Sequence, residues 1–126
     1  MDERLHMQAL EEFQLQHSVL LHPSIIRAYG LILHEGHLGI VMEYANGGDL
    51  YHLIPNKHFR NDTLLQYEIL ATVAEGIEFI HMKGVLYRDV KPHNVLIITR
   101  ETGLIIPKLI DFGESRRIQV KTPYEL

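Results

Sequence analysis

Two short stretches decide the fold of this 126-residue chain: Tyr87-Arg88-Asp89-Val90-Lys91-Pro92-His93-Asn94 and Asp111-Phe112-Gly113. In the first, an aspartate stands five residues before an asparagine with a lysine between them, and the second follows an apolar, strand-like run. Phosphoryl transfer needs few protein groups, but they must be well placed: a carboxylate that orients the attacking hydroxyl, and oxygen ligands that hold magnesium against the phosphates. The two stretches contain groups of these kinds.

These motifs resemble the signature of eukaryotic protein kinases, whose catalytic loop reads H-R-D-L-x-x-x-N and whose metal motif reads D-F-G. The resemblance implies that Asp89 is the catalytic base and that Lys91, as in serine/threonine kinases, neutralises the transferring phosphate. It also implies that Asn94 and Asp111 are magnesium ligands. Asp-Phe-Gly alone is a weak signal, but the two motifs in this order, joined by a strand, a turn and a strand, are specific.

Upstream residues resemble the nucleotide-binding part of the same family. Residues 22–26, His-Pro-Ser-Ile-Ile, are similar to the H-P-N-I-V segment, and residues 41–45, Val-Met-Glu-Tyr-Ala, are similar to the strand and hinge whose backbone binds adenine. The resemblance implies an ATP site formed by Glu43, Ala45, Asp49 and Leu96, with Met42 as gatekeeper. Two simpler interpretations stay open, Met42 as an ordinary core residue and Asp49 as a helix N-cap only.

Hydrophobic periodicity and turn residues predict the elements around these motifs. The predicted helices run from about Glu3 to Leu21, from Leu50 to Ile54 with Asp49 as N-cap, and from Leu64 to Lys83; the predicted strands are Ile25 to Leu33, Leu38 to Tyr44, Val95 to Ile98 and Leu104 to Ile110. Thr63 and Gln66 are predicted to form a capping box on the long helix, and Lys83-Gly84 to end it. Residues 111–126 have no clear period and predict an ordered start followed by a mobile loop.

The expected fold class is α+β, a partial two-lobed protein-kinase-like fold. Residues of about 1–44 would belong to the N-lobe and residues 45–126 to the C-lobe, with the hinge near Glu43 to Asn46. The hinge and the stretch His22 to Leu33 resemble the tyrosine-kinase-like group of this family.

The sequence departs from the family pattern at three places. Tyr87 stands where most kinases have histidine, although some serine/threonine kinases have tyrosine there, and Ala28 falls where a larger apolar residue is usual. The N-lobe glutamate is either Glu11 or Glu12, and Glu11 is favoured because it would place Leu15, an apolar residue, one turn later.

Composition limits the remaining classes. The chain has a net charge of −4, a pI near 6.1 and no cysteine, so it has no basic surplus for nucleic acid and no disulfide or Cys-based zinc site. No apolar run is long enough for a membrane span and no secretory signal is visible. We therefore expect a cytoplasmic or nuclear protein whose cofactors are ATP and Mg²⁺ and whose partner is a protein substrate with serine or threonine.

The 126 residues contain no G-x-G-x-x-G loop, and their first lysine is Lys57. We therefore expect the isolated chain to be inactive, and we favour an incomplete gene model or a cloned fragment of a protein serine/threonine kinase. The alternatives are a natural truncation that acts as a non-catalytic interaction module or decoy, and a relic without function.

Overall fold

The computed structural model of the chain describes residues 3–19, 21–110 and 116–117, with no side-chain description at 18, 19, 116 and 117. The elements in chain order are α1 (Glu3–Gln14), a π-helical turn (Leu15–Val19), β1 (Ala28–His34), β2 (His37–Met42), α2 (Leu50–Leu53), α3 (Lys57–Arg60), α4 (Thr63–Met82), β3 (Val85–Leu86), a 3₁₀ turn (Pro92–Asn94), β4 (Val95–Thr99), β5 (Ile105–Leu109) and β6 (Arg116–Arg117). The strands form three antiparallel pairs, β1 with β2, β3 with β6 and β4 with β5. The predicted α+β class is confirmed. No helix in the described part of the chain is both long and apolar enough to cross a bilayer.

The first helix ends earlier than predicted. The α-helix stops at Gln14 and continues as the π-helical turn to Val19, so the helix predicted from about Glu3 to Leu21 is confirmed as far as Val19, whereas its change to π-helical geometry was not predicted. A π-turn adds a residue to the turn and rotates the side chains that follow. As a result Leu15 and Gln16 both point inward, with exposed fractions of 7% and 0%.

The β1–β2 hairpin turns at two residues instead of the four predicted. Its turn residues Glu35 and Gly36 have φ of 48° and 79°, which suits the tight turns that match strand twist. The first strand begins at Ala28, so the predicted start at Ile25 is wrong. Ile25 instead makes a single parallel bridge to Leu109 at the end of β5.

The long helix α4 matches its predicted bounds to within one residue, but its N-cap is different. The Asp62 carboxylate accepts a hydrogen bond from the Leu65 amide at 3.0 Å, so the predicted Thr63–Gln66 capping box is wrong. The Gln66 side chain instead donates to the carbonyls of Phe59 and Arg60, at the end of the unpredicted helix α3. At the other end of α4, Gly84 has φ of 76°, which confirms the predicted left-handed stop.

The core joins the two halves of the chain. Its buried members come from the π-turn, the segment before β1, α4, strands β3 to β5 and the residue after β3: Leu15, Ile25, Ile80, Val85, Tyr87, Val95, Ile97 and Leu109. The backbone of residues 24–26 pairs with Leu109, through Leu109 N to Ser24 O at 2.7 Å and Ile26 N to Leu109 O at 3.0 Å. These bonds hold the segment that leads into β1 against the end of β5.

Candidate active site

Both ends of the loop 87–94 form a hydrogen bond with the backbone of Ile110. At its start, the buried Tyr87 hydroxyl donates to the Ile110 carbonyl at 2.6 Å; at its end, the Ile110 amide donates to the Asn94 carbonyl at 3.0 Å. Ile110 directly precedes the predicted magnesium ligand Asp111, and Asp111-Phe112-Gly113 lies outside the described residues. The structure thus connects the loop of the first motif to the strand that leads into the second.

Within this loop the structure brings together three of the predicted catalytic side chains. The Asn94 amide nitrogen donates to the Asp89 carbonyl at 2.9 Å and to the Asp89 carboxylate at 3.2 Å. The Lys91 ammonium lies 3.2 Å from the same carboxylate oxygen. Since the Lys91 and Asp89 side chains are 48% and 29% exposed, this ion pair contributes at most about 1 kcal/mol. Lys91 can therefore leave Asp89 for a phosphate at little cost.

The Asn94 side chain has one polar atom left for a ligand. Its nitrogen is engaged by Asp89, and no hydrogen bond within the described residues uses its oxygen Oδ1. An amide oxygen is a hard ligand of the kind that Mg²⁺ binds. The donor chemistry at Asn94 therefore fits the predicted metal role, which itself stays a prediction.

The predicted nucleotide-binding residues lie where the hinge runs along β4. Gly47 N donates to Ile97 O and Ile97 N to Gly48 O, both at 2.8 Å, and Asp49 makes an antiparallel bridge to Leu96. Ala45 and Leu96 are half-buried, and no hydrogen bond within the described residues engages the Ala45 amide. The structure thus brings Asp49 and Leu96 together and leaves the Ala45 amide available to a ligand.

Asp49 caps α2, which confirms its predicted N-cap role. Its carboxylate accepts from the His52 amide at 2.9 Å and contacts the His52 ring nitrogen at 2.8 Å. The backbone hydrogen bond from His52, followed by the contact with the ring, lowers the pKa of Asp49 below its ordinary value. The His93 ring, stacked on Tyr51 at 4.1 Å, favours the charged form of Asp49 further. The ribose contact of Asp49 stays a prediction.

The choice between Glu11 and Glu12 stays open. Glu11 is favoured from the sequence because it places the apolar Leu15 one turn later, where Glu12 would place Gln16, and the π-turn buries both residues. The Gln16 amide is fully buried, and no described residue makes a hydrogen bond with its nitrogen or its oxygen. Burial of the following turn therefore does not distinguish the two glutamates.

One charged residue at the site was missed by sequence reasoning. Lys108 donates to both carboxylate oxygens of Glu43, at 3.0 and 2.9 Å, and its side chain is 12% exposed. A signal was present, because Lys108 is the only charged residue in the otherwise apolar run Leu104 to Ile110. A lysine inside a strand expected to be half-buried predicts a nearby carboxylate, although not which one.

Comparison with known proteins agrees with this geometry. A family model described as protein kinase domain matches residues 1–125. This chain belongs to the protein kinase family. The kinase-like resemblance stated from the sequence is thereby confirmed, and the α+β arrangement is that of a partial kinase domain.

Several curated relatives are protein kinases by name, and one of them is named as a serine/threonine-protein kinase. The chain is 37% identical over 113 residues, 90% of its length, to a probable cAMP-dependent protein kinase catalytic subunit of Encephalitozoon cuniculi. It is 35% identical over 103 residues to the serine/threonine-protein kinase SSK22 of Saccharomyces cerevisiae and 31% identical over 100 residues to the smooth muscle myosin light chain kinase of Gallus gallus, each match covering 79% of the chain. The kinase chain spans 34%, 7% and 5% of the length of these three relatives.

Proposed function

We propose that these residues form the catalytic-loop part of an ATP-dependent protein serine/threonine kinase. The observation that carries the proposal is that Asp89, Lys91 and Asn94 lie together. The Asn94 side-chain amide donates hydrogen bonds to both the main chain and the carboxylate of Asp89, and Lys91 forms an ion pair with the same carboxylate. The names of the relatives support serine/threonine specificity, as does a lysine two residues after the aspartate.

Each of the three side chains has a separate role in the proposed reaction. Asp89 orients the substrate hydroxyl and accepts its proton as the hydroxyl oxygen attacks the γ-phosphorus of ATP, while the bond from that phosphorus to the bridging oxygen breaks and ADP leaves. Lys91 moves from the Asp89 carboxylate to the phosphoryl oxygens, where charge is present in the transition state. Asn94 holds the Asp89 loop rigid through its nitrogen and offers Oδ1, together with Asp111, to magnesium. The metal, when bound, supplies neutralisation of phosphate charge.

The nucleotide would lie along the seam between the hinge and β4. The backbone of Glu43 and the Ala45 amide would meet adenine, the Leu96 side chain would pack on the base, and Asp49 would reach the ribose. The bridge between Asp49 and Leu96 supports this arrangement, because it brings a ribose-binding carboxylate and an apolar base-binding surface to the same place.

The proposal is tested in the full-length protein that carries this chain, with Asp89→Asn and Asp111→Asn compared in parallel. Asp89→Asn should lower the turnover of phosphate transfer at least about a hundredfold and leave affinity for a non-hydrolysable ATP analogue unchanged, because a general base acts in the transition state. Asp111→Asn should weaken magnesium-dependent binding of the analogue as well as turnover. Calorimetric titration with and without magnesium separates the two cases.

Asp62→Asn is the matched control. It makes the same chemical change outside the site and keeps a good N-cap on α4, so its activity should equal that of the unmodified protein. Analogue binding without phosphate transfer in the unmodified protein would favour the non-catalytic interaction module. If both site variants bound the analogue normally and still phosphorylated a substrate, the kinase assignment of these residues would be wrong.

A further inference from the structure

Lys108 and Glu43 form a well-enclosed ion pair. Their side chains are 12% and 20% exposed, whereas the pair of Lys91 with Asp89 includes a side chain that is 48% exposed. Lys108 reaches both carboxylate oxygens, at 2.9 and 3.0 Å. A charged group withdrawn from water in this way depends on its partner, because removal of one partner leaves the other without compensation.

Glu43 is held on two sides. Its amide donates to the Arg27 carbonyl at 2.8 Å, and its Oε1 accepts from the Arg27 amide at 3.3 Å. Lys108 on β5 donates hydrogen bonds to the same carboxylate. Main chain and side chain of Glu43 are therefore both fixed, which sets the direction of the peptide group that follows it into the hinge.

The same lysine stands beside a second residue of the proposed ATP site. In the antiparallel register of β4 and β5, Lys108 lies directly opposite Leu96. Residues directly opposite each other in such a pair place their side chains on the same face of the sheet and in contact range. Leu96 in turn bridges to Asp49. Lys108 thus contacts Glu43 in the hinge and lies opposite Leu96 on β4.

We propose that Lys108 is a positioning residue that sets the affinity of the ATP site, by keeping Glu43 in the hinge in register with Leu96 on β4. The inference rests on the proposed function, because it takes Glu43 and Leu96 as contacts of the nucleotide. Among the described residues, no hydrogen bond or ion pair joins Lys108 to Asp89, Lys91 or Asn94. Its loss should therefore change nucleotide affinity and leave the phosphoryl-transfer step nearly intact.

The test compares Lys108→Met, Lys108→Arg and Glu43→Gln in the full-length protein. Methionine keeps the length and apolar stem of the lysine without its charge, and arginine restores the charge. Lys108→Met should raise the KM for ATP about tenfold, the scale of one hydrogen bond to a charged group, with kcat changed less than twofold. Lys108→Arg should return KM to within about threefold of the unmodified value. Lys57→Met, at an exposed position on α3, is the matched control and should leave both constants unchanged.

A double variant shows whether the lysine acts through Glu43. If it does, Lys108→Met combined with Glu43→Gln should cost little more than either change alone. An unchanged KM in Lys108→Met would overturn the inference. The inference would also be overturned if Lys108→Met lowered kcat and kcat/KM by the same factor and lowered the melting temperature as well. That result would mean that the Lys108–Glu43 ion pair only stabilises the fold.

The dissociation constant of a non-hydrolysable ATP analogue, measured by calorimetry on the same variants, separates this inference from the proposed function. If the unmodified protein binds the analogue but transfers no phosphate, the proposed function falls and the inference is decided by whether Lys108→Met weakens binding. If the unmodified protein does not bind the analogue, both are overturned.

Discussion

Replacement of Gly47 by alanine should detach the hinge from β4, and the size of the effect follows from the geometry. A Cβ built on Gly47 would lie 2.8 Å from the Ile97 carbonyl oxygen and 2.8 Å from its Cγ2. Ile97 is 2% exposed and paired with Pro107 in β5, so it has no room to move away. The turn must move instead, which breaks the two 2.8 Å hydrogen bonds between Gly47-Gly48 and Ile97. At about 1 kcal/mol for each bond, plus up to about 1 kcal/mol of remaining overlap, the local cost is about 2–3 kcal/mol.

Hydrogen–deuterium exchange measures this cost directly at the Ile97 amide, which donates to the Gly48 carbonyl. A loss of 2–3 kcal/mol corresponds to exchange that is about 30 to 150 times faster. Gly30→Ala is the matched control, because a Cβ at Gly30 would meet nothing within 4 Å, and it should leave exchange at Ile97 unchanged. If Gly47→Ala exchanged at the unmodified rate, the close approach of the two backbones would not be what holds the hinge on β4.

Three further predictions concern the loop, the α2 cap and the isolated chain. Tyr87→Phe keeps the buried ring but removes the donor to the Ile110 carbonyl, so thermal melting should show a loss of about 1–2 kcal/mol; an unchanged midpoint would show that this hydrogen bond contributes nothing. Asp49→Ala should lower the melting temperature at pH 7, because the charged Asp49 carboxylate stabilises α2. Since the pKa of Asp49 is lower in the folded protein, the difference in melting temperature should disappear as the pH falls below the ordinary pKa of 3.8. A difference in melting temperature that persisted at lower pH would contradict this. The isolated 126-residue chain should incorporate no more labelled phosphate into a basic protein substrate than its Asp89→Asn variant, because it contains no glycine-rich loop and no lysine before Lys57.

The parts of the site that could be predicted from the sequence depend on short-range spacing. Asp89, Lys91 and Asn94 lie within six consecutive residues, so a loop that brings the first and last together necessarily carries the lysine between them. The bounds of α4 were also predictable, since its apolar stripe and the glycine after it are local signals. The division at residues 44 and 45 into parts of two lobes stays a prediction.

The parts that could not be predicted depend on tertiary contacts. Asp62 and Thr63 are adjacent and both are good caps; Asp62 provides the cap while Gln66 bonds to the end of the neighbouring helix α3, a contact that no propensity contains. The π-turn at Leu15–Val19 is likewise too short to give a hydrophobic periodicity that could be recognised in the sequence. The partner of Lys108 is 65 residues away in the chain, and periodicity carries no information about a pairing at that separation.

The two hydrogen bonds that the Asn94 amide donates to Asp89 have an evolutionary consequence. Asn94→Asp would place a second carboxylate within about 3.2 Å of the first, where like charges repel, and Asn94→Leu would leave the Asp89 carbonyl without a donor. Either change at Asn94 would therefore disturb Asp89 even where Asp89 itself is kept. In a lineage that loses the Asn94 amide, we expect the constraint on Asp89 to be lost with it.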